Sequence, residues 1–531
     1  MVKGRTLFIL AAIVFVLYVN ILPNPFVWDD HIFILQNEFI RDWKNIPSLF
    51  QREFFTKSYR EASFVEGGYY RPLVMVLYTL EYALWKDVPY GYHAVSILLH
   101  LANVFLVYLL LLKLFQNEKM AWAGSLLFAS HPVHAEAVSY LPSRSDLLAA
   151  FFCLLAFFAY ASSQKKRRTL SLFWFSLALL SKENAVVFPA LLLAFTLSCE
   201  TPKGKPVLLQ ALLWTVAAGY LVLRIWIFPI PWSPEGAESP AFLFRILSFG
   251  KLSLAYLGLL LFPYPLHLER LAPYQTSLMD IGTVLWLLVA GGLVWLFRFL
   301  WTKNRTLFFW TAWFWIAWVP VSNVIPLQPS MAEHYLYFPS IGFFAVVAFY
   351  LVHFLNEGKR LSRAFLAVMI AVVGMNGVLV IGRNRDFSNE LRLFLQTEKY
   401  APASALIHNN LGAFYYSQGK LDEAKIEFEK AVFLNPDMTK SWANLGTVYR
   451  EKKEYAEAIR YLEKAVAQEA DNALIWNKLG IAYAEAGSDK AEEVFRKAIS
   501  LDSRLGNAYY NLGVFYWRKG LFGKASFPLY G

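Results

Sequence analysis

Cysteine is nearly missing from this chain. Its 531 residues include two, Cys153 and Cys199, far apart and each in or at the edge of an apolar segment. That excludes a disulfide framework and any C-x-x-C motif for redox or zinc chemistry. Charge is also scarce, at 17% of residues against 57% hydrophobic and 17% aromatic, and mean hydropathy is +0.39. Water-soluble domains carry about 25% charged residues, so the chain reads as a membrane protein. Acidic residues are the scarcer sign, giving a net charge of +11. Residues 401–531 hold 17 Lys and Arg against 16 Asp and Glu, so ten of the eleven excess charges lie in the first 400 residues. A basic excess confined to the apolar part points to cytoplasmic loops beside anionic lipid or phosphate, and away from nucleic acid.

What is present is a series of apolar runs, near residues 7–22, 92–112, 121–138, 146–162, 169–181, 184–199, 206–228, 280–300, 307–325, 336–355 and 364–382. They predict about eleven spans. Segments 72–86, with Glu81, and 243–262, with Arg245 and Lys251, are ambiguous, and each has the charge to lie in the interface. The first run follows Lys3 and Arg5, which predicts a cytoplasmic N-terminus; Pro23-Asn24-Pro25 is a poor cleavage region, so the run is kept as a signal anchor. Lys165-Lys166-Arg167-Arg168 then falls inside, residues 139–146 outside, and everything after the last span outside.

From residue 405 the pattern changes to soluble repeats. Leu411-Gly412, Leu445-Gly446, Leu479-Gly480 and Leu512-Gly513 recur at spacings of 34, 34 and 33, with Tyr415, Tyr449, Tyr483 and Tyr516 three positions after each glycine. Small residues follow, such as Ala424 and Ala431 or Ala458 and Ala465. This is the tetratricopeptide signature, in which small residues let paired helices approach and aromatics fill the seam. The expected organisation is a transmembrane bundle over 1–382, a linker helix over 383–404, and repeats over 405–531, three complete and one partial, the last reaching Gly531 before its second helix is complete.

On this topology the polar residues that interrupt apolar segments collect on the outer side. Asp29-Asp30 follows the first span; His131, His134, Glu136, Arg144 and Asp146 surround the next outer turn; Lys182-Glu183 occupies the following one, and Glu333-His334 a later one. Each has an ordinary structural role open to it: a solvated cap for the aspartates, hydrogen bonding inside a helix bundle for the histidines, an anchored span end for Arg144 and Asp146, a local ion pair for Lys182-Glu183. Their shared side is what suggests a site. A carboxylate can take a proton from an acceptor hydroxyl while Arg and Lys stabilise a leaving phosphate attached to a lipid, which is sugar transfer from a polyprenyl-phosphate donor. Asp29, Asp30 and the histidines could also hold a divalent metal, although no ligand spacing requires one.

The segments NPFVWDDHIFILQN (24–37), YYRPLVMVLYTLEYAL (69–84), GYHAVSILLHLANV (91–104), HPVHAEAVSYLPSRSDLLA (131–149), LLSKENAV (179–186) and AEHYLYFPSIGF (332–343) resemble the transmembrane and tetratricopeptide repeat-containing O-mannosyltransferases and bacterial relatives of that layout. The resemblance implies an all-α fold, a GT-C-type membrane bundle followed by a tetratricopeptide solenoid, and a lipid-phosphate sugar as donor. By the same likeness Asp29 or Asp30 is the general base, Arg144 and Lys182 hold the donor phosphate, and His131, His134, Glu136, Asp146, Glu333 and His334 support them. His334 stands where the family motif commonly has arginine, which removes a fixed charge. The implied activity is inverting transfer of a sugar, mannose in the named relatives, to a hydroxyl on the extracytoplasmic side of a bacterial inner membrane. A protein acceptor or partner would be met through the repeats. The rival readings are a membrane-anchored repeat scaffold without enzymatic activity, and a transporter of lipid-linked sugar, against which stands the gathering of charges at outer turns.

Overall fold

The computed structural model describes residues 4–51, 70–199, 207–226, 242–270, 274, 277–325, 327, 329–355, 359–521 and 524. Within them the chain is helical, with one isolated antiparallel bridge between Arg270 and Met331. It forms two compact units, one through Leu393 and the other from Phe394 onward.

The first unit is a helix bundle, and the chain is an integral membrane protein. Among the described residues seven helices are long and apolar enough to cross: Gly4–Ile21, Pro89–Phe115, Leu141–Tyr160, Val207–Trp226, Phe242–Leu261, Ile281–Lys303 and Leu366–Asp386. Other expected runs form shorter helices, because proline or polar residues interrupt them. The run 121–138 breaks at His131-Pro132, leaving Glu118–Ser130, and 307–325 ends as Arg305–Trp318 before a turn containing Pro320. Pro72–Trp85, expected at the interface, is one of the shorter apolar helices. Phe242–Leu261 was ambiguous because of Lys251, and the structure pairs that residue with Asp280 at 2.7 Å, the cap of the next helix.

The core is aromatic. Trp310, Trp313 and Trp318 are fully buried along one helix, and Phe157, Phe195 and Phe309 close around them. A Cβ on Gly342 would lie 2.5 Å from the Trp310 carbonyl oxygen, so that glycine sets how closely Ser340–Leu355 packs on Arg305–Trp318. The expected linker helix over 383–404 divides instead. Residues 383–386 complete Lys359–Asp386, and Glu390–Tyr400 is a separate helix, started by Asn389, whose side chain accepts from the Arg392 N–H.

The second unit is the repeat array: Ala405–Ser417 with Leu421–Leu434, Thr439–Glu451 with Tyr455–Gln468, Ala473–Glu485 with Lys490–Leu501, and then Gly506–Arg518. The recurring Leu-Gly pair has a steric cause. A Cβ on Gly446 would stand 2.7 Å from Leu462, and one on Gly480 2.6 Å from the Phe495 ring.

Candidate active site

The chain turns sharply where Pro25 to Asp30 leave the first helix. Trp28 has a left-handed backbone, φ 52°, which a bulky side chain adopts at a cost of about 1–3 kcal/mol. The two aspartates that follow have different surroundings. Asp30 is fully buried; its Oδ2 accepts the Val27 N–H at 3.0 Å, closing the turn. Burial holds its carboxyl well above the usual range, the Val27 N–H opposes this, and the neighbouring Asp29 charge adds to it. Asp29 is half-buried and accepts the Tyr140 hydroxyl on Oδ2 at 2.5 Å. The Tyr140 ring stacks on Trp28 (centroids 5.7 Å apart, 17° between planes) and on Phe387 (6.1 Å, 22°).

A second group joins the histidine turn to the late loop. Glu136 accepts the N–H groups of Glu333 and His334 on Oε2, at 3.1 and 3.3 Å, and meets His334 Nδ1 through Oε1 at 2.7 Å. Glu333 is buried between two guanidinium groups, Arg270 at 3.0 Å and Arg383 at 3.2 Å, and also accepts the His267 N–H at 2.6 Å. Arg383 continues to Asp386 and lies over the Phe387 ring. His131 and His134 are turned into the bundle. His131 Nε2 faces the Leu260 carbonyl, and His134 lies between the Phe128 carbonyl and the Ser340 hydroxyl.

The cations assigned to the donor phosphate separate. Arg144 is fully buried, with both Glu81 oxygens at 2.6 Å from Nη1, Ser96 at 3.0 Å and the Tyr92 carbonyl at 2.6 Å. Its charge is neutralised inside the bundle by a carboxylate that the sequence left at the interface. Lys182 is 3% exposed, bonded to Asp146 at 2.5 Å and seated over the Tyr335 ring. Burial lowers its affinity for the proton, and Asp146 works against that. Beside it Arg71 grips Glu183 with two bonds, 2.6 and 3.1 Å, and reaches the Ser145 hydroxyl at 3.3 Å. Glu183 is buried enough to favour its neutral form, but the Arg71 charge outweighs this and brings it down to about 2.

The structure thus brings together Asp29 with Tyr140, Glu136 with Glu333 and His334, and Lys182 with Asp146, while Arg144 is paired with Glu81 and its charge also reaches Asp30. Five participants were missed as site residues by sequence reasoning: Arg71, Glu81, Tyr140, Arg270 and Arg383. Arg71 carried a signal, standing immediately before Pro72 at a helix start in one of the quoted segments.

Comparison with known proteins agrees with both halves of this architecture. A model described as "Tetratricopeptide repeat" matches residues 405–438 and one described as "TPR repeat" matches 446–487. Over the bundle and into the repeats, the chain is 28% identical to human protein O-mannosyl-transferase TMTC3, covering 81% of this chain and 51% of that protein. Its curated homologues are protein O-mannosyl-transferases. Others are Tmtc3 of Drosophila melanogaster (26%, 80% of this chain, 54% of that protein) and F38B6.6 of Caenorhabditis elegans (26%, 81% and 63%). The chain spans about half to three-fifths of the length of these protein O-mannosyl-transferases. Among solved structures it is similar to MamA (28% identity, TM-score 0.25, 27% of this chain and 84% of that one). It is also similar to YrrB (24%, TM-score 0.25, 30% and 82%).

Proposed function

We propose that the bundle is a glycosyltransferase that moves a sugar, mannose by analogy with its homologues, from a polyprenyl-phosphate donor to a protein hydroxyl on the extracytoplasmic side. The observation that carries the reading is the contrast within the acidic pair. Asp30 is sealed, with burial favouring its protonated form, whereas Asp29 is half-buried and held by a phenolic hydroxyl. Asp29 is therefore the base. The acceptor oxygen forms a bond to the anomeric carbon, the bond from that carbon to the phosphate oxygen breaks, and the acceptor proton passes to Asp29. Polyprenyl phosphate leaves, and one displacement inverts the anomeric centre.

The leaving phosphate needs positive charge that is not already sealed away. Arg71, 12% exposed, meets that condition better than Lys182 at 3% or Arg144 at 0%, and Lys182 stands beside it. Support for that side comes from the basic run Lys165–Arg168, which stands at the far end of two 17-residue helices from Asp146 and Lys182. The repeats would meet a protein acceptor or partner.

The test is incubation of the purified full chain with a panel of polyprenyl-phosphate sugars, following release of polyprenyl phosphate. Release with one donor, lost in Asp29→Asn, is the expected result. No release with any donor would move the weight to the scaffold reading.

A further inference from the structure

We infer that Glu398, His408 and Glu427, at the start of the repeat array, form a binding site for a divalent transition cation of the zinc class. The argument begins with the sense of the hydrogen bonds around one imidazole. His408 Nε2 lies 3.0 Å from the Pro402 carbonyl oxygen. A carbonyl only accepts, so this nitrogen carries a hydrogen, and in the neutral ring Nδ1 presents a bare lone pair. That lone pair faces two carboxylates, Glu427 Oε2 at 2.6 Å and Glu398 Oε1 at 3.9 Å. Lys430 supplies one cation to the two carboxylates, at 2.7 Å from Glu427 and 3.9 Å from Glu398, but none to Nδ1, and a second cation has a place where all three lone pairs converge. A proton on Nδ1 reaches Glu427 but leaves Glu398 beyond hydrogen-bond distance. A metal ion serves all three.

The geometry is within reach of a metal site. The three donor atoms lie within 4.8 Å of one another. Ligands of zinc stand about 2.0–2.2 Å from the ion and so roughly 3.3 Å apart in a tetrahedron. The two distances from Nδ1, 2.6 and 3.9 Å, fall on either side of that spacing. The Pro402 carbonyl fixes the far side of the ring, the arrangement that orients metal-binding histidines. Lys430 holds the other Glu427 oxygen at 2.7 Å, which keeps Oε2 turned toward His408. Lys430 also stands 3.9 Å from Glu398, but it is 46% exposed and has solvent to move into when a second cation arrives. An open cleft of about 460 Å³, bordered by Glu398, His408, Lys430 and Phe433, provides entry and room for water as a fourth ligand. One imidazole and two carboxylates, without thiolate, suit zinc better than calcium or copper(I).

The three ligands come from three successive helices: Glu390–Tyr400, Ala405–Ser417 and Leu421–Leu434. A bound ion would tie the helix that precedes the array to both helices of the first repeat.

The experiment uses the full chain in detergent, stripped with chelator and titrated with zinc sulfate by calorimetry, with thermal unfolding in parallel. Wild type is expected to bind one equivalent that Glu398→Gln and His408→Gln each weaken at least tenfold, and zinc should raise the unfolding temperature of wild type but not of Glu398→Gln. Glu398 is 28% exposed, so that variant should unfold without zinc as wild type does, which separates loss of binding from loss of folding. Failure of wild type to bind zinc at micromolar concentration overturns the site. Undiminished binding in both variants overturns it equally, placing the ion elsewhere and a proton on Nδ1.

Discussion

The Tyr140 hydroxyl donates to Asp29 Oδ2 at 2.5 Å, from a ring stacked on Trp28 and Phe387. A hydrogen bond to a carboxylate favours its charged form and fixes its direction. Tyr140→Phe keeps the stack and removes the bond. The expected result is a drop in turnover of about tenfold, with the acidic limb of the pH–rate profile moved to higher pH and KM for the acceptor little changed. A uniform loss at every pH would mean that Tyr140 only packs.

Asp29→Asn and Asp30→Asn should part company. The first removes the base and should cost on the order of a hundredfold or more in transfer rate. The second keeps an oxygen for the Val27 N–H and should leave most of the rate. Equal losses in both would count against Asp29 as the base.

Asp30 also gives a pH signature in stability. Its carboxyl is raised by burial, so the native state binds that proton more tightly than the unfolded chain does. Native stability therefore falls as pH climbs from about 4, the unfolded value, through the raised native one. Asp30→Asn has no such titration and should gain on wild type between pH 5 and pH 8 in thermal unfolding. A constant difference between the two proteins across that range would show that native Asp30 holds no more proton there than the unfolded chain does.

Arg144 and Glu81 are predicted to act on folding. Arg144→Met leaves Glu81 buried without its cation, a loss of about 3–5 kcal/mol. Pairing it with Glu81→Met should recover much of that, as measured by yield and unfolding temperature of the double variant against the two singles. Lys182→Met, which leaves buried Asp146 without its cation, should cost folding as well, but both it and Arg71→Met should slow transfer or raise KM for the lipid donor per folded molecule.

The fold was legible because its signals are periodic and long. The Leu-Gly repeat at 405–513 names its own steric cause, and apolar runs mark the bundle. The acidic pair, the histidine turn and the late loop were legible as candidates because charge is rare in such a chain. Their partners were harder to see. Tyr140 is an ordinary aromatic in a chain full of aromatics until its position between Trp28 and Phe387 is known. Glu81 looked interfacial because nothing local reveals that Arg144, 63 residues away, neutralises it. The linker helix failed at Phe387–Asn389, where a short break serves the tertiary contact with Tyr140 and not the helix.

The turn that carries Asp29 is fastened to the far end of the bundle. Asn24 donates to the Asn384 carbonyl, the Trp28 N–H to Glu390, and Asn384 to the Leu17 carbonyl. During synthesis the acidic turn emerges among the first segments, yet its fastenings are made some 360 residues later. A ribosome-bound chain that has not passed Glu390 therefore holds the aspartates without their setting.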